Sequence, residues 1–196
     1  MGSRKLVYTM IYGMAKSESQ VHWHHRESPR LLREVVATMH GSGRALDIGC
    51  GTGEDSIFLA QQGLSVTALD FVPRALDFAR AHAEEYGVRI EFIRADILEY
   101  ELEGSYDLIL DSGCLHTIDE RNRPRYKRSI ISSMHRQSNY LLLHSTKTNL
   151  LDLGFGPRPK TKDQIAEFFM PELKLVDFEA RTGGKPMSQF WFRWDE

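Results

Sequence analysis

Leu46-Asp47-Ile48-Gly49-Cys50-Gly51-Thr52-Gly53-Glu54 is the stretch from which the fold of this chain can be read. It joins a short apolar run over 44–49, a buried strand, to a helix predicted over 54–62 and stopped at Gly63. Glycines at a strand-to-helix turn let the backbone bend tightly and approach a ligand where a Cβ would collide. An acidic residue, Asp70, closes the next strand 23 positions after Asp47. A carboxylate there can accept hydrogen bonds from both hydroxyls of a ribose.

Outward from this turn the pattern alternates. Leu31, Leu32, Val35, Val36 and Met39 recur at helical spacing in a helix over 28–40, ended by Gly41-Ser42-Gly43. Strands are predicted over 66–70, 90–93, 106–111 and 139–144, with a helix over 73–86 that carries Pro73 in its first turn. Strands alternating with helices argue for a parallel sheet covered on both faces. The end of the chain departs from that rule. A helix over 161–170, with Thr161 and Gln164 set for a capping box, is stopped by Pro171. Strand-like runs over 173–181 and 188–194 then follow with only a short turn between them, which makes an antiparallel hairpin. The fold expected is α/β, a Rossmann-like seven-stranded sheet, mostly parallel with an antiparallel C-terminal hairpin strand and helices on both faces. It forms one domain over 1–196, with an N-terminal arm or lid over 1–27 and the core over 28–196.

The 196 residues suit a single domain with a core of its own, being 41% apolar and 27% charged. A net charge of −2 gives no global case for nucleic acid. No apolar run approaches the roughly 20 residues that span a bilayer. Two cysteines, Cys50 and Cys114, read as reduced thiols and point to the cytoplasm.

The turn admits two cofactors in principle. A dinucleotide site asks for a third glycine where Glu54 stands, and a pyrophosphate would meet Glu54 and Asp55 instead of bare amides. Acidic residues, Asp47 included, suit a ligand that carries an amino group and a sulfonium. The electrostatics favour S-adenosylmethionine over NAD.

Asp47-Ile48-Gly49-Cys50-Gly51-Thr52-Gly53 resembles the first motif of the seven-stranded class I methyltransferases. Leu69-Asp70-Phe71, Arg94-Ala95-Asp96-Ile97 and Tyr106-Asp107-Leu108-Ile109-Leu110-Asp111 resemble the second, third and fourth. Asp111-Ser112-Gly113-Cys114-Leu115-His116 is similar to the thiopurine and tellurite methyltransferase-like branch, whose members methylate small molecules. The resemblance implies that Asp47, Gly49 and Gly51 cradle the methionine part of the cofactor. Asp70 would hold the ribose with Phe71 beside the adenine, and Asp96 and Ile97 would meet the adenine edge. Asp111 would lie by the cofactor's amino group and methyl. The chain departs from the family before the fifth strand, where Arg136-Gln137-Ser138-Asn139 replaces a Gly-Gly turn.

Further residues carry two readings each. His116, just past the fourth strand, would take a proton from the attacking nucleophile, or else pack at a helix start. Tyr12, Trp23 and His24 or His25 would form a lid over the substrate, or be surface aromatics on an arm. Adjacent histidines at 22, 24 and 25 lack a partner at ligand spacing, so no metal is expected. Arg158 would bind an anionic substrate group, or sit solvated on a loop. The run Arg121-Asn122-Arg123-Pro124-Arg125-Tyr126-Lys127-Arg128 would serve RNA, or be the solvated face of a helix buried through Ile130, Ile131 and Met134. The expected function is methyl transfer from S-adenosylmethionine to nitrogen, sulfur or oxygen of a small molecule, by a monomer or homodimer. An RNA methyltransferase and a cofactor-binding protein without turnover are the alternatives.

Overall fold

Strand β1 (Arg44–Ile48) lies in the middle of the sheet because it is apolar on both faces, with Ala45, Leu46 and Ile48 all buried. The computed structural model describes residues 3–14, 28–146, 160–180 and 187–195. These form one sheet of seven strands: β1, β2 (Ser65–Asp70), β3 (Glu91–Arg94), β4 (Tyr106–Ser112), β5 (Met134–Ser145), β6 (Leu173–Glu179) and β7 (Met187–Trp194). Their order is β3-β2-β1-β4-β5-β7-β6. The first five strands are parallel, and β7 runs antiparallel to both β5 and β6. The alternation and the hairpin thus yield the expected mixed sheet.

Six α-helices are described: α1 (Ser3–Met14), α2 (Arg30–Ala37), α3 (Glu54–Gln61), α4 (Pro73–Glu85), α5 (Arg123–Ser132) and α6 (Lys162–Phe169). Proline opens α4, where its missing N–H costs nothing. The capping box of α6 is formed. Thr161 Oγ1 accepts from Gln164 N at 3.2 Å, and Gln164 Oε1 accepts from Thr161 N at 3.0 Å.

Two apolar clusters sandwich the sheet. On one side α2 sends Leu31, Leu32, Val35 and Val36 onto Leu108, Leu110 and Leu141. On the other, Tyr126 and Ile130 of α5 and Phe169 of α6 meet Tyr140, Phe190 and Phe192.

Three readings change. Strand β5 begins at Met134, five residues before the expected start. Met134 pairs with Tyr106 and Asn139 with Leu108, so the residues between are an irregularity in the pairing. Ser138 closes it, accepting from His135 N at 2.8 Å and donating to Tyr106 O at 2.6 Å. The basic run is not one solvated face, because Arg123 and Tyr126 are buried and Arg123 Nε donates to Ile118 O. Within the arm, α1 buries Tyr12 against Val72 and Ala75 at the start of α4, with Phe71 alongside. Tyr12 is therefore not a surface aromatic.

Candidate functional site

The glycine turn is pinned to the end of β2 by its own backbone. Gly49 N and Cys50 N both donate to Leu69 O, at 2.7 and 3.1 Å. Gly51 N donates to Asp70 Oδ2 at 3.0 Å, while Val72 N donates to Asp70 Oδ1 at 2.8 Å. Gly49, Gly51 and Gly53 have φ of +71°, +57° and +89°, a region where side chains are disfavoured. A Cβ on Gly49 would stand 3.2 Å from the Cys114 Cβ, so the turn after β1 and the loop after β4 touch. Asp70 also accepts from the Phe71 backbone N–H, and with about four lone-pair sites a carboxylate keeps acceptor capacity beyond these three bonds.

Four buried carboxylates sit in or beside this turn: Asp47, Asp55, Asp70 and Asp111. Asp47 Oδ2 accepts from Ser56 Oγ at 2.5 Å, and its Oδ1 is buried with no hydrogen-bond partner among the described residues. Burial, reinforced by the charge of Asp55, pushes the Asp47 carboxyl up to about 8. Burial also raises Asp70 to about 6, against the N–H bonds from Val72 and Gly51. Such a cluster is costly unless a cation or protons neutralise it. An orphaned carboxylate oxygen and bare glycine backbone fit the amino group and close approach of the cofactor that the resemblance implies. Glu54 is occupied otherwise, accepting from Thr52 Oγ1 at 2.6 and 2.8 Å.

Asp111 differs from the expectation of a carboxylate open to the cofactor. Its Oδ1 accepts from Gly113 N at 3.0 Å and Cys114 N at 2.5 Å. Its Oδ2 accepts from Leu115 N at 2.9 Å and from the Tyr126 hydroxyl. Four donors fill its acceptor sites, so Asp111 holds the shape of the loop that follows β4. Burial raises it to about 6, and the Tyr126 hydroxyl bond works the other way. Tyr126 Oη also lies 3.0 Å from Tyr140 Oη.

On the next loop, Asp96 Oδ1 accepts from Leu98 N at 3.0 Å, and Ile97 is buried in the main cluster. Phe71 is half-buried at the end of β2. His116 lies in a 3-10 turn, Leu115–Thr117, its ring 5.7 Å from that of His144 in an edge-to-face contact. The structure thus brings Asp47, Gly49, Gly51, Asp70, Phe71, Asp96, Ile97, Asp111 and His116 to the carboxyl ends of β1–β4, where open α/β sheets bind ligands. Trp23, Arg158 and the histidines at 22, 24 and 25 lie outside the described residues. No group of three potential metal ligands occurs among the described residues. Nor is any described helix long and apolar enough to cross a membrane. Ser56, Tyr140 and His144 were not singled out in the sequence, and Tyr126 only within the basic run; the Ser56–Asp47, Tyr126–Asp111 and His144–His116 contacts each join different elements.

The sheet order and the glycine turn at its centre define the fold of a Rossmann-like methyltransferase. Residues 45–136 match the family described as a methyltransferase domain. A 2-heptyl-1-hydroxyquinolin-4(1H)-one methyltransferase of Mycobacteroides abscessus is 30% identical over 71% of this chain and 62% of its own length. The chain spans less than two thirds of the length of the curated relatives it matches first. The magnesium protoporphyrin IX methyltransferase of Synechocystis, solved with S-adenosylmethionine bound, superposes with a TM-score of 0.77 at 16% identity. That match covers 100% of this chain and 98% of the other. TehB of Haemophilus influenzae superposes at 0.74 with 15% identity, over 88% of this chain and 64% of its own.

Proposed function

We propose that the protein transfers a methyl group from S-adenosylmethionine to a nitrogen, sulfur or oxygen of a small molecule. The observation that carries this is the acidic turn: Asp47 and Asp70, buried at the ends of β1 and β2, flank glycines whose backbone has no side chain in the way. When bound, S-adenosylmethionine supplies a sulfonium methyl open to in-line displacement. Asp47, Gly49 and Gly51 hold its methionine part, the orphaned Oδ1 of Asp47 facing positive charge. Asp70 keeps a lone pair for a ribose hydroxyl while clamping Gly51. Phe71 flanks the adenine, and Asp96 with Ile97 meets its edge. Asp111 positions the loop after β4, and His116 on that loop takes the proton of an acceptor that has one to lose. A thiolate acceptor needs no base; alignment alone serves it.

The acceptor sits above the ends of β4 and β5, and we assign Trp23 and Arg158 to its binding. The quinolone relative supports a small heteroaromatic acceptor. Burial of Arg123 and Tyr126 removes two members of the basic run from any nucleic-acid face, which favours the small molecule over RNA. We place the protein in the cytoplasm as a monomer or homodimer.

Calorimetric titration with S-adenosylmethionine and S-adenosylhomocysteine tests the proposal. Micromolar binding, about −8 kcal/mol, is expected. Asp70→Ala loses the ribose acceptor and the clamp on Gly51 together, and is expected to weaken binding at least tenfold. No binding of either compound to the wild-type protein would sink the reading.

A further inference from the structure

His144 is the one buried histidine in the sheet to which the proposed reaction gives no task, and its surroundings are specific. It ends the apolar run of β5, fully buried on the same face as Tyr140 and Leu142. Its Nδ1 lies 2.7 Å from Ser145 O, and a carbonyl can only accept, so Nδ1 carries the proton. That fixes the tautomer and leaves Nε2 as a bare lone pair. Nε2 is buried and meets no hydrogen-bond partner among the described residues.

The position of this lone pair is informative. The ring stands edge-to-face to His116 at 5.7 Å, on the side of the sheet where the acceptor is placed. Gly113 makes room for that pair: at φ +100°, a Cβ on it would stand 3.0 Å from His116 Cε1 and 3.4 Å from Met187 Cε. The charged groups near His144 are cations. Arg123 reaches in from the start of α5, and Lys160 lies beside Ser145, its backbone N–H donating to Ser145 O at 3.4 Å. Burial first, then Arg123 and Lys160, lower the His144 pKa to about 4, so the ring is neutral at neutral pH. An unmet buried acceptor costs roughly 1–3 kcal/mol. Apolar side chains would fill the place without that cost.

We infer that His144 Nε2 is a specificity-determining hydrogen-bond acceptor that selects methyl acceptors presenting an N–H or O–H beside the reacting atom. This rests on the proposed methyltransferase reading for where the acceptor lies. The division of labour follows from the two rings. His116 deals with the proton of the reacting atom, whereas His144, held neutral with one lone pair free, reads a donor and rejects molecules that lack it. Rejection is strong in such a site because the wrong molecule leaves the lone pair unmet.

The experiment has two arms. In the first, S-adenosylhomocysteine is titrated into the wild-type protein, His144→Phe and His144→Gln. Equal affinities show that all three are folded and that the cofactor half is intact. Failure of the wild type to bind sinks the methyltransferase reading and says nothing about His144. In the second arm, protein saturated with S-adenosylhomocysteine is titrated by NMR with matched fragments: phenol against anisole, and indole against N-methylindole. The wild type is expected to favour the donor-bearing member of a pair about tenfold, the scale of one hydrogen bond to a buried acceptor. His144→Phe is expected to erase the preference, and His144→Gln, which can present an oxygen, to keep part of it. A wild-type protein that binds S-adenosylhomocysteine but shows no preference overturns the inference, as does a preference that survives in His144→Phe.

Discussion

Asp47 is expected to hold its proton at pH 7 without a cation beside it, because burial and the nearby Asp55 raise its carboxyl from 3.8 to about 8. The folded state therefore binds more protons than the unfolded chain across that interval, and the stability present at low pH is lost as pH rises through it. Asp70 and Asp111, each raised to about 6, add to the loss in the lower part of the window. A cationic ligand beside Asp47 has the opposite preference and favours the carboxylate. S-adenosylmethionine is thus expected to bind with release of a proton near pH 7, and to bind more tightly as pH rises toward about 8. Calorimetry at pH 7 in two buffers of different ionisation enthalpy measures that proton directly. Asp47→Asn should abolish the buffer dependence and flatten the fall of melting temperature with pH. Identical enthalpies in both buffers for the wild type would show that Asp47 is not neutralised by the ligand. At this scale Asp47 and Asp70 were legible, since strand, glycines, helix and second acid lie in one stretch. Tyr126, Tyr140 and His144 were not. Each is an ordinary core residue type until a distant partner gives it a role.

Among the elements, the loop after β4 and the start of α3 each give a test. Tyr126→Phe leaves Asp111 with three backbone donors in place of four. Losing a hydrogen bond to a buried charged group should loosen the loop by roughly 1.5–3 kcal/mol. Hydrogen exchange of the Cys114 and Leu115 amides is expected to quicken at least tenfold, with exchange in β1 and β2 unchanged. Uniform acceleration across the sheet would mean that Tyr126 supports global stability and not the loop. Gly53, at the N-terminus of α3, gives a second test. Its φ is +89°, and a Cβ there would stand 3.0 Å from the Ala79 Cβ and 3.3 Å from the Ala79 Cα of α4. Gly53→Ala should lower unfolding free energy by about 1–3 kcal/mol in urea titrations. A change under about 0.5 kcal/mol would remove the packing argument. The cap of α6 could be read in the sequence because Thr161 and Gln164 are three residues apart. The start of β5 could not, because Ser138 is held by Tyr106, 32 residues away.

Across the whole molecule the sheet divides into two working halves. Strands β3, β2, β1 and β4 present the acidic turn, while β5 carries His144 and leans on β7, which lies between it and β6. That the last two strands form an antiparallel hairpin followed from the short turn between them. That β7 and not β6 inserts beside β5 is a non-local pairing, and no local pattern encodes it. The aromatic packing supplies the reason for the order. Phe190 and Phe192 point from β7 into the cluster with Tyr140 and Phe169, with Phe169 and Phe192 ring centroids 5.0 Å apart. Phe192 is fully buried, so Phe192→Ala should cost about 3–5 kcal/mol. If the halves are separable in function, the surviving folded molecules keep wild-type affinity for S-adenosylhomocysteine. The compound, at about 100 times its dissociation constant, should then restore about 2.7 kcal/mol in both proteins alike. Chemical denaturation with and without S-adenosylhomocysteine reads both numbers. A markedly smaller increment in Phe192→Ala would show that the hairpin reaches through β5 and β4 to the cofactor turn, and that the sheet acts as one unit.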